Sequence, residues 1–308
     1  GRYPRRYMRV LDKFLISIIL LSVIPLAGAG AAKTLTDVGP VFGGAHVAAN
    51  TSGTATLALD DLPAIAEEFT ATWCNPCANV AAALHEIEND TGVQVYTNHR
   101  NISESMDPLG NAIVDQRWID RYSSREPPVV VFNGTIFQSG GSANGASLAE
   151  DFTTHAQTAM NVGDGETSLT WVNTSENTGT ITWVVNGIDE GLLASGTLES
   201  MIWFVEDFAH YEDGLNGEEY YPYVVREIIY LGSNTNGTIE VTLPSTWDGD
   251  DLQIHLIHQI NQTVVIDGLD DNPAAPPVTE ESMLSGFSLL MTTTVMIGAA
   301  ITQRQKRL

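Results

Sequence analysis

The chain has only two cysteines, Cys74 and Cys77, among 308 residues. Every thiol or disulfide reaction open to it is therefore confined to the segment Trp73-Cys74-Asn75-Pro76-Cys77. A structural zinc site wants about four nitrogen or sulfur ligands, and no second cysteine pair exists to complete one. The histidines His46, His85, His99, His155, His210, His255 and His258 are scattered without ligand spacing. His255 and His258 lie three apart in an expected strand, where they face opposite ways. Lysine is almost missing as well. From residue 34 to 282 there are five arginines, no lysine and 37 acidic residues, a net of −32. Such a surface repels nucleic acid and anionic headgroups. It suits salty surroundings, where self-repulsion is screened over about 8 Å or less.

What is present is a Cys-x-x-Cys at the start of an expected helix. There the first sulfur faces free N–H groups and the positive helix end, which favour its thiolate. The second can then resolve a mixed disulfide. Residues 63–69 read as a strand running into the motif, 78–88 as a helix and 93–96 as a short strand. A second helix is expected over 107–122, beginning near Asp107-Pro108. A strand follows over 129–132, then an Asn133-Gly134 turn, a partner strand over 135–138 and a helix from about Ser147 to Met160. The alternation argues for a mixed α/β layer.

Glu68-Phe69-Thr70-Ala71-Thr72-Trp73-Cys74-Asn75-Pro76-Cys77, followed by Glu126-Pro127-Pro128-Val129-Val130-Val131-Phe132, resembles the thioredoxin superfamily over about residues 60–162, with Asn75 where that family has glycine. The resemblance implies an α/β thioredoxin-like domain that needs no cofactor. Cys74 would be the attacking thiolate and Cys77 the resolving thiol. Glu68 would be a buried carboxylate taking the Cys77 proton, its pKa raised by burial, while adjacent Glu67 would face water. Trp73 would cover the disulfide, and Pro127 would match the family's cis-proline, beside which substrate docks. Asn75-Pro76 is neutral and gives the potential no strong push. Glu126 would lie beside the sulfurs, where its charge disfavours the thiolate and tips the site toward reducing or isomerising disulfides, unless Arg125 cancels it.

Past residue 162 the chain turns to short β-rich runs with Asn, Gly and Asp between them: 168–172, 180–185, 201–205, 224–231, 238–243, 253–260 and 264–266. They predict an all-β antiparallel sandwich over 163–268. An acidic, tyrosine-rich insertion over 207–223 reads first as sandwich packing plus a solvated loop, and second as a partner-binding edge, because exposed tyrosines anchor interfaces. An exported thioredoxin-like domain followed by a sandwich is similar to the outer membrane protein twenty-eight related family, residues 201–268 carrying the looser part of that likeness.

The ends of the chain read as targeting segments. Residues 1–32 have the charged, apolar and small-residue parts of a secretory signal, with 1–7 upstream of a start at Met8. Residues 33–59 read as an extended leader and 269–282 as an acidic, proline-rich stalk. Residues 283–302 are apolar enough for a transmembrane helix, with a cleaved sorting signal as the competing reading, and the basic tail 303–308 favours a cytoplasmic C-terminus. Seven Asn-x-Ser/Thr sequons, including Asn133 in its expected exposed turn, fit glycosylation outside the cell. The sequence thus predicts a membrane-anchored, extracytoplasmic thiol-disulfide oxidoreductase. Its substrates would be the disulfides of exported proteins, and a membrane redox partner of unknown identity would recharge it. The competing expectation is a surface-anchored binding protein whose Cys-x-x-Cys is inert.

Overall fold

The computed structural model describes residues 32–102 and 106–262. In chain order its elements are β1 Lys33–Thr34, β2 Val41–Ala48, β3 Gly53–Ala58, β4 Ile65–Thr70, α1 Asn75–Thr91, β5 Gln94–His99, α2 Ala112–Tyr122, β6 Val129–Phe132, β7 Ile136–Ser139, α3 Leu148–Ala156, β8 Gly163–Asn173, β9 Thr178–Ile188, α4 Glu190–Ala194, β10 Gly196–His210, β11 Tyr220–Gly232, β12 Asn236–Thr242 and β13 Leu252–Gln262. A single 3-10 turn occupies Leu59–Asp61.

These elements overturn the expected fold class, an α/β thioredoxin-like domain followed by a separate all-β sandwich. Strands hold 46% and helices 20% of the described residues, which makes the chain predominantly β. One nine-stranded sheet runs β1-β7-β6-β4-β5-β11-β10-β13-β2, so strands from both expected domains lie in the same layer. The second sheet, β12-β9-β8-β3, has four strands. The physical reason lies in β10 and β13. Met201–Glu206 and Ile254–Gln259 are buried without alternation, which requires cover on both faces rather than the one-sided burial of a simple sandwich strand. Val41, Ile65, Tyr96 and Val114 accordingly share a core with Met201, Trp203, Val205 and Val225. The expected extended leader supplies β1, β2 and β3, with Val41 and Phe42 fully buried.

The second sheet packs Leu169, Trp171, Ile181 and Trp183 against Ile202, Phe204, Ile254 and Leu256 of the first. Each such side chain removed from water contributes roughly 1.5–3 kcal/mol on transfer. At the other end, β4 lies between parallel β5 and antiparallel β6 and is buried along its whole length. Ala66 faces α1 and α3, through Val80, Leu84 and Phe152. Phe69 faces α2, its ring stacked 4.9 Å from Trp118. Glu67 points to the α2 side as well, and there the expectation that it meets water fails. It is wholly buried, held by Arg117 and the Tyr122 hydroxyl.

Local chemistry sets the helix ends. Pro76 in the first turn of α1 has no N–H to leave unpaired, and Gly92 closes the helix at φ 67°, donating to the Glu88 carbonyl. Asn111 caps α2 by accepting from Ile113 and Val114. That helix starts five residues later than expected from Asp107, because the Asp107 carboxylate is engaged elsewhere. Asn133 also departs from expectation: it is buried, with its side-chain oxygen accepting from the Ile65 N–H. Among the described residues no helix is long and apolar enough to cross a membrane. The signal segment through residue 31, the 264–266 run, the stalk, the 283–302 span and the basic tail lie outside the described residues.

Candidate active site

The site forms where β4 runs into α1. Cys74 is the N-cap of α1, and Cys77 stands one turn inside, its N–H bonded to the Cys74 carbonyl at 3.0 Å. The two sulfurs form a disulfide with Cα atoms 5.3 Å apart. Trp73 packs against the cluster of Ala71, Cys74 and Cys77, and the Arg100 guanidinium lies 5.8 Å from its ring centre. Asn75 and Pro76 are exposed at the start of the helix.

The proline segment approaches through β6 and β7. Here the cis peptide bond joins Pro127 to Pro128, so the residue in cis is Pro128 and not Pro127. The Pro128 carbonyl accepts from Gly140 at 2.9 Å. Gly141 then presses on the motif, since a Cβ there would stand 2.7 Å from the Pro76 carbonyl oxygen. Only glycine fits such an approach. Glu126 points outward, its side chain 88% exposed and 4.0 Å from Arg100.

Beneath the motif, Glu68 is buried, and its Oε1 has no hydrogen-bond partner among the described residues. Burial pushes its carboxyl up to about 8, against a smaller downward effect of the Thr70 side chain. Beside it His99 bonds through Nδ1 to Asp107 Oδ2 at 2.8 Å, both side chains being buried. His99 Nε2 has no partner among the described residues. Asp107 also accepts from the N–H groups of Thr72 and Leu109. Burial works to raise its pKa, but His99 and those two N–H groups outweigh it and leave it lowered. A cavity of about 40 Å³ is walled by Cys77, Glu68, His99 and the start of β11.

Sequence reasoning places Cys74, Cys77, Glu68 and Trp73 together, and the structure does so too. It misses His99, Asp107 and Arg100, none of which belongs to a recognisable motif. Accessible sulfurs, which the exchange chemistry calls for, are not what the structure presents: Cys74 is 3% and Cys77 1% exposed. The β10–β11 hairpin, read from sequence as a partner-binding edge or a solvated loop, lies against the motif and shares a cavity with Cys77. Leu215 and Asn216 donate backbone N–H groups to the Thr72 carbonyl at 2.8 and 3.1 Å. Tyr221 lies edge-on to His99, ring centres 5.6 Å apart, with its hydroxyl bonded to Asn216 and the Glu218 carbonyl.

No family model matches the chain, and no curated protein matches it. Solved structures overlap it, two of them as follows. One is a structural-genomics protein of Agrobacterium tumefaciens, 12% identical with a TM-score of 0.39, the match covering 67% of this chain and 97% of that one. The other is HBP35 of Porphyromonas gingivalis, 13% identical with a TM-score of 0.43, covering 70% and 81%. Likenesses this distant assign the site no role.

Proposed function

We propose that the protein performs thiol-disulfide exchange at Cys74 and Cys77, on disulfides of exported proteins. The observation that carries this reading is the placement of the chain's only two cysteines at the N-terminus of α1, with Cys77 and the buried, raised-pKa carboxyl of Glu68 lining one cavity. The helix end favours a thiolate at Cys74. Glu68, poised near neutral pH, suits the removal and return of the Cys77 proton. The sequence resemblance to the thioredoxin superfamily supports the same roles, with Pro128 taking the place first given to Pro127. With Glu126 exposed and beside Arg100, reduction, isomerisation and oxidation all stay open to this site. Anchoring by residues 283–302, export and recharging by a membrane redox partner belong to this proposal as well, on sequence grounds. Substrate reaches the sulfurs once the β10–β11 hairpin is displaced.

Burial of both sulfurs favours a second reading, in which the disulfide is a fixed staple of a surface binding protein. Reduction of insulin by the full chain, with Cys74→Ser as control, separates the two. Turnover that disappears in the control supports exchange. No turnover by either protein, with the hairpin loosened by substitution at Asn216, supports the staple.

A further inference from the structure

The cavity under Cys77 has two polar walls that hydrogen bonding within the protein leaves unused. Glu68 Oε1 and His99 Nε2 are both buried and both unpartnered among the described residues. A buried polar atom without a partner loses about 1–3 kcal/mol of solvation, so two of them on residues lining one small space need an explanation. At about 40 Å³ the space has room for one water, which needs at least two polar partners to stay. Asp107 fixes the state of the ring. Its carboxylate holds three donors, the Nδ1–H of His99 and the N–H groups of Thr72 and Leu109. With the proton on Nδ1, Nε2 offers a lone pair to the cavity.

We infer that His99, held by Asp107, is a proton-relay residue for Cys77: through one water in this cavity its Nε2 takes the proton from Glu68, and the Asp107 carboxylate balances the charge on the ring. The inference rests on the exchange reading of Cys74 and Cys77. In the step concerned, Cys74 is bonded to a substrate sulfur. The Cys77 thiol gives its proton to the Glu68 carboxylate, and the resulting thiolate attacks Cys74 Sγ. The Cys74–Cys77 bond forms as the Cys74–substrate bond breaks, and the electron pair leaves on the substrate sulfur, which takes up a proton. The dithiol is oxidised by two electrons and the substrate disulfide is reduced by two. Below its raised pKa Glu68 starts protonated, so it must lose that proton before it can take the one on Cys77, and the water to Nε2 is its route. His99 touches neither sulfur nor substrate, so it is a positioning residue and Glu68 the acid-base group. The titratable groups around the ring are Glu68 on β4, Cys77 on α1, Asp107 after β5, and Glu218, Tyr220 and Tyr221 from the hairpin and β11.

The test uses the reduced full chain and the aromatic disulfide 5,5′-dithiobis(2-nitrobenzoate), from pH 5 to 9. Attack by Cys74 releases one thionitrobenzoate, and resolution by Cys77 releases the second. For His99→Gln the second release should slow by about tenfold at pH 5–6, the low end of what positioned acid-base groups contribute. The loss should fade at high pH, where hydroxide replaces the relay. Asp107→Asn, which keeps the shape and removes the charge, should shift the profile in the same direction. A wild-type protein that never releases the second equivalent overturns the exchange reading itself. A second release with parallel profiles in wild type and His99→Gln overturns the relay alone. Nitrogen-15 NMR of the wild-type imidazole decides the matter if the variants do not fold: a proton on Nδ1 supports the relay, and a neutral ring carrying it on Nε2 contradicts it.

Discussion

The backbone N–H of Leu215 donates to the carbonyl of Thr72 at 2.8 Å, tying the tip of the β10–β11 hairpin to the residue two before Cys74. Asn216 repeats the contact and braces it, because its side-chain oxygen accepts from the Tyr221 hydroxyl and the Glu218 N–H. Asn216→Ala removes that brace without touching the sulfurs. With each of the two lost hydrogen bonds worth about 1 kcal/mol net at most, the disulfide should be reduced by a phosphine about 5- to 30-fold faster under native conditions. An unchanged rate, followed by alkylation of the freed thiols, would show that the hairpin is not what protects the site.

Glu68 makes stability depend on pH. Its folded pKa, about 8, lies above the ordinary carboxyl value of 4.5, so the folded state holds a proton that the unfolded state has released between those values. Stability therefore falls as pH rises through this window, by up to about 1.4 kcal/mol per unit for a group whose shift is fully expressed. Glu68→Gln should flatten that slope and be more stable than wild type at pH 8. Denaturation of the oxidised proteins at pH 5 to 8 checks this, and parallel curves would contradict it.

His258 works in the opposite direction. It lies buried between the hydroxyls of Ser200 and Thr167, and burial lowers its pKa to about 3. Below the ordinary imidazole range the unfolded chain takes up a proton that the folded chain refuses, so stability is lost as pH falls from about 6.5 toward 3. His258→Gln should weaken this acid sensitivity, read as a smaller change in denaturation midpoint between pH 6.5 and 4.5. An equal change would place the effect elsewhere.

Arg117 is the cation for buried Glu67 and also bonds Gln259, which joins α2 to β4 and β13. Arg117→Met leaves the Glu67 charge buried without its partner and should cost about 3–5 kcal/mol. Replacing both, as Glu67→Leu with Arg117→Met, should recover much of that loss. A double variant no more stable than the single one would show that the pair holds the helix in place by more than charge.

Glu126→Ala should leave the reduction potential of the Cys74–Cys77 pair nearly unchanged. Its carboxylate is in water and next to Arg100, where solvent and counter-charge both weaken its effect on the sulfurs. A clear shift toward an oxidising potential would restore the tuning role that sequence spacing suggests.

Local signals were readable in the sequence, and contacts between distant segments were not. Cys74-Asn75-Pro76 announces a helix start, and the position of Glu68 on a strand running into it indicates a carboxyl beneath the sulfurs. Glu67 was misread because alternation tells which face a strand residue takes and not whether a helix covers that face. Asp107 looked like a helix start, since nothing in the sequence says that His99, eight residues earlier, takes its carboxylate. The largest miss is the merging of the two halves. β5 and β11 meet through one parallel pair, Thr97 with Val224, and a hydrogen bond from the Thr97 hydroxyl to the Pro222 carbonyl. A contact spanning more than a hundred residues leaves no periodicity to read. The apolar run in β10 was recognised as a strand, but its unbroken burial was the sign that it belongs inside a larger sheet.

Equilibration of the folded full chain in graded thiol-disulfide buffers, with free thiols counted by alkylation and mass, tests exchange at Cys74 and Cys77 most directly. A working site should titrate as a reversible two-electron couple at a potential above roughly −300 mV, the range of labile and catalytic disulfides. A bond that stays closed below that value, and opens only when the protein unfolds, would make Cys74–Cys77 a structural staple and contradict the exchange function.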